Sequence, residues 1–252
     1  MKRYLIALFL FFLPSFLAFP IVRMIGGGHA YVFGRRSRIG FSIILTRKIK
    51  LGENAKIRHG NLLMTKSVEM DADALIKHFN RLKGPFHVNL GKGAVINQFN
   101  KITSGPSDFR ESELSLGNNS IIAVSHLIDM TVDVRMGDNS ILAGSGSQLW
   151  THGFYHSKQG PERWRIDGGI DIGSNVYLGT RSVVCAGVSI CNATTVGAGC
   201  VVSKSLEEPG LYVGQALRHI AFDPDEAIKR LHPVADHIYE KNNAADKSDD
   251  TK

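Results

Sequence analysis

Residues 172–205 read IGSNVYLGTRSVVCAGVSICNATTVGAGCVVSKS. Aliphatic residues recur at Ile166, Ile172, Leu178, Val184, Ile190, Val196 and Val202, each step six residues. Glycine often follows the aliphatic residue, as at Gly173, Gly179 and Gly197. A second small or branched position falls at Val176, Ser182, Val188, Thr194 and Cys200. Six is not the period of an amphipathic helix, nor that of a flat strand alone. It fits a chain that runs straight briefly, turns a corner and repeats. Three such sides make a coil of roughly 18 residues, and coils stack as parallel strands about 4.8 Å apart. One aliphatic side chain per side points into the prism, and a tight corner keeps the second inward site small.

Working outward, the same rhythm runs through Phe33, Ile39, Leu45, Leu51, Ile57 and Leu63. It reappears at Leu90, Ile96 and Ile102, at Leu116, Ile122 and Ile128, and at Met130, Met136 and Leu142. The phase slips between blocks. A β-sandwich would not hold one phase over seven positions, so the fold class expected is an all-β parallel β-helix over residues 24–220. Three interruptions stand out. Leu75, Ile76, Phe79 and Leu82 share a helical face and predict a helical insertion over 69–82. Residues 103–115 and 151–169 read as loops, the second carrying the polar and aromatic string THGFYHSKQGPERWRIDGG.

The ends differ in character. Residues 4–22, YLIALFLFFLPSFLAFPIV, hold no charge and are just long enough to span a bilayer, with Pro14 placed to bend them. A membrane anchor over residues 1–23, spanning or monotopic, is the expectation; a cleaved signal peptide is the alternative, and Phe16 before Ala18 argues against it. Nine Lys/Arg and one acid, Glu53, lie between Arg23 and Arg58, against a net charge of +7 for the chain. A basic block beside an apolar terminus suits an anionic membrane, and by the positive-inside bias keeps the main domain in the cytoplasm. No nucleic-acid module is present by motif. Three cysteines, Cys185, Cys191 and Cys200, form no CxxC pair and fit a reducing compartment. At the C-terminus, Asp223-Pro224-Asp225-Glu226 has the form of a helix start, and KNNAADKSDDTK that of a disordered tail.

The repeat blocks resemble the hexapeptide-repeat acyltransferases, a likeness covering roughly residues 33–220. The resemblance implies a left-handed β-helix, a homotrimer, acetyl-CoA as acyl donor, and transfer to a sugar hydroxyl of a surface-polysaccharide or lipopolysaccharide precursor at a bacterial inner membrane. In such enzymes a Thr-His pair opens the loop before the strongest repeats, and the histidine is the general base. Thr151-His152 stands there. Histidine suits the task because it titrates near neutrality. The strings VGAGCVVSK over 196–204 and VGQALR over 213–218 resemble the family's CoA-binding ending, which places Thr180, Ala198, Ser203, Lys204 and Arg218 at the cofactor. The family's Gly-Asn-Pro-Ala is Gly214-Gln215-Ala216-Leu217 here, a departure that loses a proline. Trp150, His156 and His126 are candidates for the acceptor side. No metal is expected. Two rivals remain. A gamma-type carbonic anhydrase would set zinc among His126, His152 and His156, although His152 and His156 give His-x3-His where that family uses His-x4-His. A non-catalytic scaffold would need only the solenoid.

Overall fold

The computed structural model describes residues 2–105, 111–214, 218–223, 225, 226 and 229. Within Met1–Ile220 the chain winds into a β-solenoid of three parallel sheets and about nine turns. Three columns of inward side chains define it. The first runs Phe33, Leu51, Met70, Leu90, Leu116, Met136, Ile172, Ile190. The second runs Ile39, Ile57, Ile76, Ile96, Ile122, Leu142, Leu178, Val196, Tyr212. The third runs Ile44, Leu63, Leu82, Ile102, Ile128, Leu149, Val184, Val202. All are buried, and they form one continuous core with the small residues at the corners. Ile44 takes the inward place expected of Leu45, and Ile166 lies half-exposed outside the prism.

Coil length is uneven. Successive partners in the first column lie 18, 19, 20, 26, 20, 36 and 18 residues apart. The helix expected over 69–82 is absent: those residues form strands Ser67–Met70, Leu75–Ile76 and Arg81–Lys83. Leu63 and Met70 are seven apart rather than six, so the shifted phase mimics a helical face. Phe79 turns a corner in the left-handed region at φ 57° and is exposed. The loop expected over 103–115 ends early, because Ser112–Leu116 is a full strand.

Longer coils need their corner amides satisfied. A buried polar ladder does this along one corner. The Asn61 amide N–H donates to Ser42 Oγ at 3.1 Å, Asn80 N–H to Asn61 Oδ1 at 2.9 Å, and Asn100 N–H to Asn80 Oδ1 at 3.0 Å. His126 N–H donates to Asn100 Oδ1 at 2.9 Å, Ser147 N–H to His126 Nδ1 at 3.1 Å, and Ser182 N–H to Ser147 Oγ at 3.2 Å.

The apolar N-terminus is two helices and not one span. Helix α1 (Lys2–Phe12) and helix α2 (Ser15–Gly26) break at Pro14. No helix among the described residues is long and apolar enough to cross a membrane. Both pack on the first coil, burying Ile6, Leu10, Ala18 and Val22, and Phe19 stacks on Phe33 at 3.8 Å. Of the expected C-terminal helix only fragments are described: Asp225 N–H donates to Asp223 Oδ1 at 2.9 Å, and the remainder lies outside the described residues.

Candidate active site

The 36-residue coil contains an antiparallel hairpin, His152–His156 paired with Arg163–Asp167, where a loop was expected over 151–169. Its strands are exposed over nearly their whole length. At its foot Gly168 returns the chain beneath the next coil. A Cβ there would lie 2.4 Å from Gly187 N, so only glycine permits the re-entry.

His152 is the hairpin's first residue, and its side chain is a quarter exposed. Its Nδ1 lies 2.7 Å from Asp129 Oδ2, in the coil below. A carboxylate only accepts, so the proton of this bond sits on Nδ1. Asp129 is itself buried and held from several sides. Thr151 Oγ1 donates to Oδ2 at 2.5 Å, Thr151 N–H donates to Oδ2 at 3.2 Å, and Thr131 Oγ1 donates to Oδ1 at 3.1 Å. Thr151 Oγ1 in turn accepts the Val132 amide at 3.1 Å. The imidazole is thus fixed with Nε2 carrying a lone pair, and Nε2 bonds to no other described residue. Trp150 and Phe154 present ring edges to it, with centroids at 6.4 and 5.7 Å. A buried acid orienting a histidine whose far nitrogen is open is the arrangement of a general base. Asp129 escapes sequence reading. Its one signal is an acid inside the apolar string Leu127-Ile-Asp-Met-Thr-Val132, one coil before His152.

The other candidates divide. Trp150 joins the His152 cluster, its Nε1 donating to Gln148 Oε1 at 2.9 Å. His156 lies on the same hairpin face but four residues along an extended strand, about 13 Å away. His126 is buried in the corner ladder. The structure therefore does not bring His126, His152 and His156 together within one chain, and no group suited to a metal occurs among the described residues. Burial pushes the His126 pKa down to about 4. Its Nδ1 accepts from Ser147, which leaves the proton on Nε2, and that atom has no hydrogen-bond partner.

The donor candidates lie along the two edges of the third face. Thr180 and Ala198 stack at one edge, where Gly199 N–H donates to Thr180 O at 2.8 Å and Thr180 Oγ1 donates to Ser145 O at 2.7 Å. Gly179 makes that corner close: a Cβ would meet Ala198 N at 2.5 Å. Ser203 and Lys204 are exposed at the other edge. Trp150 N–H bonds to Val184 O and Cys185 N–H to Val202 O, which sets Ser203 two coils above Trp150 on the edge that carries His152. Arg218 begins the strand Arg218–Ile220, paired antiparallel with Gly210–Val213, so it sits opposite Val213 just beyond the coil of Ala198. Residues 215–217 lie outside the described residues.

No family model matches the chain. Among solved structures, its neighbours are hexapeptide-repeat acetyltransferases. The polysialic acid O-acetyltransferase OatWY shares 19% identity over 75% of this chain and 86% of its own, with a TM-score of 0.51. A maltose O-acetyltransferase from Clostridium difficile 630 shares 23% identity over 52% and 67%, with a TM-score of 0.43. A hexapeptide-repeat acetyltransferase from Vibrio cholerae, complexed with acetyl-CoA, shares 18% over 54% and 69%, with a TM-score of 0.39. At such identities the likeness to OatWY establishes the fold: this chain is a hexapeptide-repeat solenoid.

Proposed function

We propose that this protein is an acyl-CoA-dependent O-acyltransferase, using acetyl-CoA to acylate a sugar hydroxyl. The observation that carries the reading is the Asp129–His152 pair at the foot of a projecting hairpin, with Nε2 open. His152 Nε2 takes the hydroxyl proton as the sugar oxygen attacks the thioester carbonyl. The carbon–sulfur bond then breaks, and the departing thiolate recovers the proton from His152. Asp129 keeps Nδ1 protonated throughout and balances the imidazolium. The Thr180–Ala198 corner is small-sided, with Ala198 exposed and Thr180 partly so, and the pantetheine arm fits close to its backbone. Lys204, exposed and without an ion pair among the described residues, and Arg218 suit the phosphates.

The finer expectations belong to the same proposal: left-handed winding, a homotrimer whose grooves join the two edges of the third face from neighbouring subunits, and a glycan-precursor acceptor. Likeness to OatWY, whose acceptor is a polysaccharide, supports the last. Placement at a bacterial inner membrane with the hairpin on the cytoplasmic side rests on the apolar terminus and its basic flank.

Calorimetry of acetyl-CoA binding, with Arg218→Ala and Lys204→Ala as controls and metal content assayed on the same sample, tests the reading. Micromolar binding weakened roughly tenfold or more by either change is expected, since a charge-assisted phosphate contact of 1.5–3 kcal/mol is lost. Stoichiometric zinc without CoA binding would replace it with the hydratase, and neither ligand would leave a scaffold.

A further inference from the structure

Helices α1 and α2 lie across the open end of the prism. In the first coil the Arg38 and Gly40 amides bond to the second coil, so the polar groups of Ile39 face the free edge. There Ser15 Oγ accepts the Ile39 amide at 2.9 Å and donates to its carbonyl at 3.1 Å. Arg23 donates to Phe33 O at 2.8 Å in the same way. The helices are therefore a cap on exposed strand edges.

Yet this cap is apolar on its outer side as well. Tyr4, Leu8, Phe12, Phe16, Leu17 and Met24 are exposed, Phe16 by 75% and Met24 by 81%. A helix apolar all round belongs inside something. The chain does not supply the cover among its described residues. Around the patch the surface is cationic. Arg36 and Arg38 line a cleft with Pro14, Phe16 and Phe19, while Lys56 and Arg58 flank Ser15. Arg47 lies beside Arg3 and Tyr4. Arg36, Arg38, Arg47, Lys56 and Arg58 form no ion pair among the described residues. A second copy of this chain docked on the patch would press one basic rim against another, so pairing of copies through the cap is disfavoured.

We infer that the α1–α2 cap is an interfacial foot that lies in the plane of an anionic phospholipid bilayer, its outer face among the acyl chains and its basic rim at the headgroups. At 11 and 12 residues the helices are about 16 and 18 Å long, against a hydrocarbon thickness of about 30 Å. Buried on one side by the prism, they enter from one leaflet only. Apolar contact and cation attraction together give the two signals that stable peripheral binding requires. This deepens the membrane association proposed above by fixing its mode.

The test is flotation of the full-length protein with vesicles of phosphatidylcholine alone, or with phosphatidylglycerol added. Strong binding to the anionic vesicles only is expected. The pair Arg36→Glu/Arg58→Glu should weaken it roughly thirtyfold or more, at about fivefold per lost cation near the surface. The pair Leu8→Ser/Phe12→Ser should abolish it, and both variants should keep the parent's acetyl-CoA binding and melting temperature. Flotation equally strong on neutral vesicles and untouched by the arginine changes would overturn the interfacial mode while leaving membrane association. No flotation with either vesicle would overturn both. Loss of a self-associated species in the Leu8→Ser/Phe12→Ser variant, by sedimentation velocity, would assign the patch to a second copy.

Discussion

Replacing His126 with asparagine should make the protein more tolerant of acid. In the corner ladder His126 occupies a position that Asn61, Asn80 and Asn100 fill in the coils below. An asparagine oxygen can accept the Ser147 amide as Nδ1 does, and its amide group is free of the unpartnered Nε2–H. Burial holds His126 at about 4, below the ordinary 6.5. The folded protein therefore keeps it neutral where the unfolded chain takes up a proton. Stability is complete above pH 6.5 and is lost as pH falls from 6.5 towards 4. The loss is 1.36 kcal/mol per unit, or about 3 kcal/mol at pH 4. Urea unfolding at pH 7 and pH 4 for parent and His126→Asn measures it. Carboxylates such as Glu69 and Glu111 titrate in both proteins and cancel. The variant should retain about 3 kcal/mol more of its neutral stability at pH 4. Equal acid sensitivity in the two would refute the assignment of His126 as a buried neutral ladder rung.

Other outcomes follow from the same geometry. Asp129→Asn should cut turnover by about 10²–10⁴, because an amide NH₂ facing Nδ1 moves the imidazole proton to Nε2, while acetyl-CoA affinity stays unchanged. His152→Ala should lose as much, and combining the two should add little further. Gly179→Ala should destabilise by about 2–3 kcal/mol in chemical denaturation, since the new Cβ meets backbone rather than a movable side chain. Replacing residues 157–162 with a two-residue Asn-Gly turn should leave the thermal transition within a few degrees of the parent, because the hairpin packs little against the prism.

Sequence exposes what repeats and hides what occurs once. The inward columns were legible because each coil must refill the same interior, so Ile172, Leu178 and Val184 carry one phase. Residues 69–82 were misread for a physical reason. Leu75, Ile76, Phe79 and Leu82 satisfy the helical and the coiled period together, and only strand pairing with the neighbouring coils decides between them. Leu45 was placed inward by a strict six-residue step, whereas this side of the first coil is five residues long, from Ile39 to Ile44. His152 was legible as a candidate because it opens the longest polar interruption. Asp129 was not, since its role depends on the coil stacked above it, 23 residues away in sequence. Pro14 marked the break in the apolar terminus, but a sequence cannot show that both halves fold back onto the first coil.

A solenoid measures distance by counting. His152 projects from the sixth coil and the cap seals the first, so five steps of about 4.8 Å set its imidazole roughly 24 Å from the capped end, with a helix layer of about 10 Å beneath. With the cap on lipid and the prism upright, the protein acts as a ruler. A sugar lying at the headgroups would be out of reach, whereas a hydroxyl several residues up a membrane-borne glycan, or on a freely diffusing one, would meet the base. Adding or deleting one whole coil between Asn61 and Asn100 would move that height by a single fixed increment.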